Sequence, residues 1–225
     1  MRLFTIQLFL IFAFSVKGQI SNIPGAGNEV IRIKKYADIE GSPYLYNDWK
    51  AGTITDNTGK VYSNVLLKYD AYKDVLEINQ DGSILQLNTK QYPNFSISFA
   101  DGSTNKVIKH FFKSGVSQIT DYPPTIYFEV LNDGPITVLK KYDIKFIEEV
   151  VNSYGTAAAT KRFQRGEKYF VVIEDKAVEF KLNNKSFLSA CGERMTDIDK
   201  IINQRKIKLK NEADLIALLQ FYENP

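Results

Sequence analysis

Hydrophobic and polar residues alternate over 95–99, where Phe95, Ile97 and Phe99 point one way and Ser96 and Ser98 the other. The same period returns over 176–182, setting Val178, Phe180 and Leu182 against Glu179 and Lys181. A period of two with one polar face predicts strands of a half-solvated antiparallel sheet. The run 169–173 is apolar on both faces and predicts a buried, central strand. Runs of strand composition also occupy 61–69, 75–79, 83–89, 107–112, 126–131 and 136–139. Between them stand Asn57-Thr58-Gly59, Gln80-Asp81-Gly82, Asp101-Gly102 and Asn132-Asp133-Gly134. These residue types tolerate the positive φ that tight hairpins require.

The stretch 142–160 reads two ways. Tyr142, Ile144 and Phe146 alternate as in a strand, whereas Glu148-Glu149-Val150-Val151 suits the start of a helical turn. The small residues of 155–160 predict a mobile loop. Near the end of the chain the period changes to that of a helix. Thr196-Asp197-Ile198-Asp199 resembles a capping box with Asp in the acidic position, and Ile198, Ile201 and Ile202 follow at helical spacing. Residues 206–210 read as an extended link. Asn211 then offers an N-cap to a last helix whose Leu215, Ile216, Leu218, Leu219 and Tyr222 form a broad apolar face. The expected fold is mainly β (α+β): an antiparallel β-meander curling into an open barrel or sandwich, with short C-terminal helices packed on it. The expected divisions are a signal peptide over 1–18, a flexible lead-in over 19–30, a β domain over 31–183 with a possible break into two lobes near 114–124, and a docked helical segment over 184–225.

The leader sets the expected address. Arg2 precedes an apolar run, 3–16, interrupted by Thr5, Gln7 and Ser15, and Val16-Lys17-Gly18 suits cleavage before Gln19. The run is short for a membrane span, which needs about 20 residues. No Cys follows it to carry a lipid anchor. The expectation is export to the periplasm or beyond, not as a lipoprotein, with no membrane span after cleavage.

Composition narrows the chemistry. Loss of Arg2 and Lys17 lowers the basic count from 29 to 27 against 26 acidic residues, a net charge of about +1. Nucleic-acid binding would call for a concentrated basic surface, so no nucleic-acid partner is expected. Cys191 is the only cysteine, which rules out an intramolecular disulfide and reads as a buried small hydrophobe. His110 is the only histidine, in a predicted strand, and the chain holds no Gly-x-Ser-x-Gly elbow. One His and one Cys cannot furnish the usual zinc ligand set. Asp70/Asp74 and Glu148/Glu149 are the closest carboxylate pairs considered for glycosidase chemistry, and read instead as turn and solvated surface. Asp56-Asn57-Thr58-Gly59 lacks the ligand spacing of an EF-hand and reads as a hairpin. Gly25-Ala26-Gly27 has too few glycines for a phosphate loop. No catalytic, cofactor-binding or metal-ligating residue is assigned.

Two features retain a binding reading. Tyr44, Tyr46 and Trp49, set beside Asn47 and Asp48, have the composition of a sugar- or peptide-binding surface, or else close one end of the β core. Lys200, Arg205, Lys206, Lys208 and Lys210 would suit an anionic lipid surface, or else a solvated helix face and its link.

The segment 36–45 (YADIEGSPYL), Trp49 with 50–54, the block 56–78 (DNTGKVYSNVLLKYDAYKDVLEI) and the closing 200–224 (KIINQRKIKLKNEADLIALLQFYEN) together resemble a family of exported Bacteroidota proteins. In that family a GSPYL…W…G opening precedes a β-meander, and a Lys-rich helical end closes the chain. The chain departs from the pattern at Phe221-Tyr222, where a Tyr pair is common, and at Cys191-Gly192. The resemblance implies an envelope or secreted location and a β-rich fold, and it carries no functional residues. The expected role is a non-enzymatic binding or interaction module whose partner is an envelope protein or a glycan. The alternatives are a glycan- or peptide-acting hydrolase using a carboxylate pair, and a structural envelope component.

Overall fold

The computed structural model describes residues 23–24, 36, 38–100, 106–153 and 156–224. The expected signal peptide, the Gly25-Ala26-Gly27 segment and the Asp101-Gly102 turn lie outside the described residues. In chain order the strands are β1 (Lys50–Thr55), β2 (Val61–Asp70), β3 (Val75–Gln80), β4 (Ser83–Gln86), β5 (Asn94–Ala100), β6 (Val107–Lys113), β7 (Phe128–Asn132), β8 (Thr137–Ser153), β9 (Thr156–Ile173) and β10 (Lys176–Phe180). The helices α1 (Asn184–Ala190), α2 (Met195–Arg205) and α3 (Glu212–Glu223) follow.

The strands form one open antiparallel sheet, ordered β10-β9-β8-β7-β6-β5-β1-β2-β3-β4. The meander is broken once: β1 lies between β2 and β5, so the chain crosses back from β4 before entering β5. Leu87 and Tyr92 of that crossing are buried. β1 carried no strand signal in the sequence because its middle is Ala51-Gly52-Thr53. Packing explains the small residue, since a Cβ at Gly52 would stand 2.1 Å from the Ser96 carbonyl oxygen and 2.6 Å from Leu67 Cδ1. The β1–β2 register shifts at Gly52/Thr53. The residue left over on β2 is Asn64, at φ +57°, a conformation Asn adopts at low cost. The β3–β4 turn follows its sequence signal, with Asp81 at φ +52° and Gly82 at +84°.

Three buried clusters hold the chain together. The first joins Ile54, Leu67, Tyr69, Ile97, Phe95 and Phe112 to Tyr142 and Ile144 of β8. Phe95 and Phe112 stack at 4.4 Å, and Tyr69 and Tyr127 close around them. Ile23 is buried in the same cluster, and Gln91 Nε2 donates to the Pro24 carbonyl at 3.1 Å. The second places Val138, Tyr169, Val171 and Phe180 of the sheet under Phe187, Ile198, Ile202, Leu215 and Leu218 of the helices. Burying each such aliphatic or aromatic side chain is worth about 1.5–3 kcal/mol, so the three short helices are held by the sheet they cover. The third lies under the 114–127 connection, with Ile119 against Phe128, Leu139 and Phe170. Across the 114–124 region the sheet itself continues, through Phe112↔Glu129 and Lys113↔Phe128.

Several local expectations are corrected. Residues 156–160 are strand, not loop, and Glu148-Glu149 extends β8 rather than starting a helix, because β8 and β9 pair continuously from Thr137↔Val172 to Ser153↔Thr156. α2 begins at Met195 with Arg194 as its N-cap, so Thr196 lies inside the helix and caps nothing. Asn211 does cap α3, accepting from the Asp214 amide at 2.9 Å. Val178 is 43 % exposed rather than core, since β10 is an edge strand. Ser96 is 2 % exposed, so the polar face of β5 is enclosed at its centre.

Candidate functional site

The alternation of β8 places Lys140 on the face that carries Val138, Tyr142 and Ile144, so a cation is built into an apolar stripe. The neighbouring strands supply its partners. Glu129, opposite Lys140 on β7, brings Oε2 to 3.1 Å of its Nζ; Glu212, in the first turn of α3, brings Oε1 to 2.7 Å. Lys140 and Glu129 side chains are 5 % and 4 % exposed. Glu129 also bonds His110 Nδ1 and accepts from the Tyr142 hydroxyl at 2.5 Å. The Tyr169 hydroxyl lies between Glu167 Oε2 at 2.7 Å and Glu212 Oε1 at 2.8 Å. Burial opposes ionisation of Glu129, yet the His110 bond and the Lys140 charge hold its carboxyl below the usual range. Burial likewise opposes the Lys140 charge, and Glu129 and Glu212 more than restore it.

A second pair sits nearby. Lys141 Nζ lies 3.0 Å from Asp74, which also accepts from the Tyr69 hydroxyl. Here burial wins and the Asp74 carboxyl is raised. Asp70 folds its own turn, accepting from the amides of Tyr72 at 3.1 Å and Lys73 at 3.0 Å and from the Tyr36 hydroxyl at 2.7 Å. The turn role expected for Asp70 and Asp74 is present, but neither is solvated surface: Asp70 is fully buried. Glu148 and Glu149 are exposed and pair with Lys161 and Arg162 across the hairpin.

The sequence carries a signal for the buried Lys140. Once 136–139 is extended through Tyr142 as a single strand, alternation alone places Lys140 on the apolar face.

Tyr44, Tyr46 and Trp49 lie in the segment that precedes β1. That segment is tied down by Glu40, whose amide donates to the Lys161 carbonyl at 2.9 Å and whose carbonyl accepts from Phe163 at 2.8 Å. The Tyr44 hydroxyl donates to Glu77 at 3.5 Å, and its ring meets Tyr36 edge-on. Lys68 Nζ stands 4.3 Å from the Tyr44 ring centroid and 5.8 Å from that of Trp49. Tyr46 packs elsewhere, against Phe99 at 5.1 Å and His110 at 6.2 Å. Burial and the Glu129 charge push its hydroxyl up to about 12. All three rings are half-buried.

An open site lies on the opposite face of the sheet. Register aligns Thr55, Asn94 and Lys113 in one row across β1, β5 and β6, and Thr53, Ser96 and Phe111 in the next. β7 parts from β6 beyond Phe112 and Lys113, and Val130–Asp133 form a wall. The result is a cleft of about 570 Å³. Its floor carries the Thr53–Ser96 hydroxyl pair at 2.7 Å, and its rim carries Phe111, 50 % exposed. Lys113 pairs with Asp133 at 3.5 Å. The pattern step that hid this cleft is the same alternation that revealed β5: it separates faces but says nothing about which strand lies beside which.

The remaining candidates lie in and beside the helices, where Lys206, Lys208 and Lys210 are exposed. Cys191 is buried beneath the helices, and burial pushes its thiol up to about 12. Lys200 pairs with Asp197, and the Arg205 guanidinium lies 3.9 Å from the Phe221 ring centroid. Among the described residues no cluster of three or more His, Cys, Asp or Glu could hold a metal ion, and no helix is long and apolar enough to cross a membrane. No family model, curated protein or solved structure matches this chain.

Proposed function

We propose that this chain is an exported, non-enzymatic binding module that presents the outer face of β1, β5 and β6 to its partner. The observation that carries this reading is a division of labour between the buried charges and the outer face of β1, β5 and β6. The buried charges are partnered within the protein: Glu129 with Lys140, Lys141 with Asp74, Asp70 with the Tyr36 hydroxyl and Glu77 with the Tyr44 hydroxyl. Glu129, Lys140, His110 and Asp74 do not line the cleft on the outer face. Glu129 is held ionised, whereas a general acid acting on a glycoside needs a raised carboxyl beside its substrate. The outer face instead offers an exposed ring and hydroxyls in an open cleft, the combination that interfaces and ligand sites use. The export part of the proposal rests on the leader and on the resemblance described above.

The test is expression of the full chain with its leader, with a photo-crosslinking amino acid at Phe111 and, in parallel, at the distant Glu193. Export predicts a mature N-terminus at Gln19 by mass spectrometry. The binding reading predicts a saturable adduct from position 111 and none from 193. Adducts of equal yield from both positions would defeat it.

A further inference from the structure

Resting on the reading of the outer face as a binding surface, we infer that its ligand is an oligosaccharide, bound in the cleft between the β1–β5–β6 floor and the Val130–Asp133 wall. Three observations converge on that class. The polar groups of the floor are Thr53, Thr55 and Asn94, with Ser96, 2 % exposed, beneath them. Each hydroxyl both donates and accepts, which matches a ligand whose own polar groups are hydroxyls. Thr53 and Ser96 satisfy each other and form a fixed base. The Thr55 hydroxyl and the Asn94 amide bond no other side chain among the described residues and face the same row.

Phe111 supplies the second part. An aromatic side chain half exposed at a cleft rim keeps one apolar face in water, and covering it is favourable. Lys109 Nζ lies 4.6 Å from its ring centroid and fixes one side of the ring. The C–H face of a pyranose is a flat apolar surface edged with hydroxyls, which can cover the ring while its hydroxyls reach the floor. Successive rows on one strand lie about 7 Å apart and neighbouring strands about 4.8 Å apart. The platform is therefore wide enough for more than one sugar ring.

The third part is what the cleft disfavours. A peptide strand added to a sheet pairs with an open edge; β1 and β5 are hydrogen-bonded on both sides, and the edge that β6 leaves unpaired toward β7, Val107–Phe111, borders the cleft at its rim and not at the hydroxyl floor. An acyl chain would cover Phe111 but leave the Thr55 hydroxyl and the Asn94 amide without partners. A nucleic-acid phosphate would meet Asp133 beside Lys113. A saccharide satisfies the floor, the ring and the charge pair together.

The purified full-length protein is screened on an array of neutral and uronate-containing oligosaccharides, and retained saccharides are titrated by calorimetry against wild type, Phe111→Ala, Phe111→Trp and Asn94→Ala. The result expected is saturable binding of at least one saccharide, weakened at least tenfold in Phe111→Ala, weakened several-fold in Asn94→Ala and kept in Phe111→Trp. Phe111 is half exposed, and circular dichroism of each variant confirms folding. No retained saccharide, or one bound equally well by Phe111→Ala, overturns the inference. Capture of a polypeptide at position 111 with no saccharide bound would also overturn it while leaving the binding-module reading standing. Cleavage of a retained saccharide, seen as new reducing ends, would keep the saccharide site and defeat the non-enzymatic reading.

Discussion

Lys140 Nζ and Glu129 Oε2 are 3.1 Å apart on adjacent strands, at the boundary between the core that joins the first strands to β8 and the core beneath the helices. Glu212 ties the same lysine to α3 at 2.7 Å. One cation therefore pins the helical segment to the sheet. Removing one partner of a buried ion pair leaves the other charge desolvated and typically costs 3–5 kcal/mol. Lys140→Met is expected to destabilise the chain by about 3 kcal/mol in urea unfolding, the lower end because His110 and Tyr142 still bond Glu129. A loss below about 0.5 kcal/mol, the scale of an ordinary surface change, would show that the pair contributes nothing to the fold.

The same pair sets limits in pH. Glu129 is held below its usual 4.5, so its contribution is complete above that value and is lost as pH falls through the folded value. Lys140 is raised above 10.5, so its contribution is complete below that value and is lost as pH rises through the folded one. Asp74 is raised above 3.8 and acts in the opposite sense to Glu129, favouring the fold at acid pH and losing that contribution as pH rises through its folded value. Urea midpoints measured from pH 3 to 11 are expected to decline at the alkaline end in wild type and more gently in Lys140→Met. Parallel profiles would remove Lys140 from the alkaline transition.

Gly52 has no room for a methyl group. Its virtual Cβ meets a backbone carbonyl, which cannot swing aside as a side chain would. Gly52→Ala is expected to cost about 3 kcal/mol, the upper range for overpacking, or to abolish soluble expression. Gly59→Ala, which has open space but a φ of +87°, pays only the conformational penalty of about 1 kcal/mol. Equal stability of the two variants would contradict the packing argument.

Asn211 accepts from the Asp214 amide, and its loss leaves an orphan donor in the first turn of α3. Asn211→Ala is expected to cost about 1 kcal/mol, and Thr196→Ala almost nothing, since Thr196 caps no helix. Thermal melts of the two variants decide between the observed helix starts and those suggested by the capping-box pattern.

The Cys191 thiol is 1 % exposed and raised to about 12. It should react with a maleimide or disulfide reagent only as fast as the chain opens, at a rate that climbs with urea. Reaction within seconds under native conditions would place the thiol at the surface.

The sequence by itself determined the local structure: the alternation of β5, the Asp81-Gly82 turn, the Asn211 cap and the apolar face of α3 each depend on neighbours a few residues away. The helix-or-strand question at Glu148-Glu149 was settled by pairing with β9, a partner that a local pattern does not specify. β1 has no local signature for the same reason, since its Gly52 answers to Ser96 across the sheet and not to its own neighbours. The tertiary structure alone decided where β1 inserts, which lysine meets which carboxylate, and which outward side chains become a cleft. Alternation assigns Lys140 to a face and Phe111 to the other. Strand order, a product of long-range packing, then encloses the first among carboxylates and leaves the second open to water.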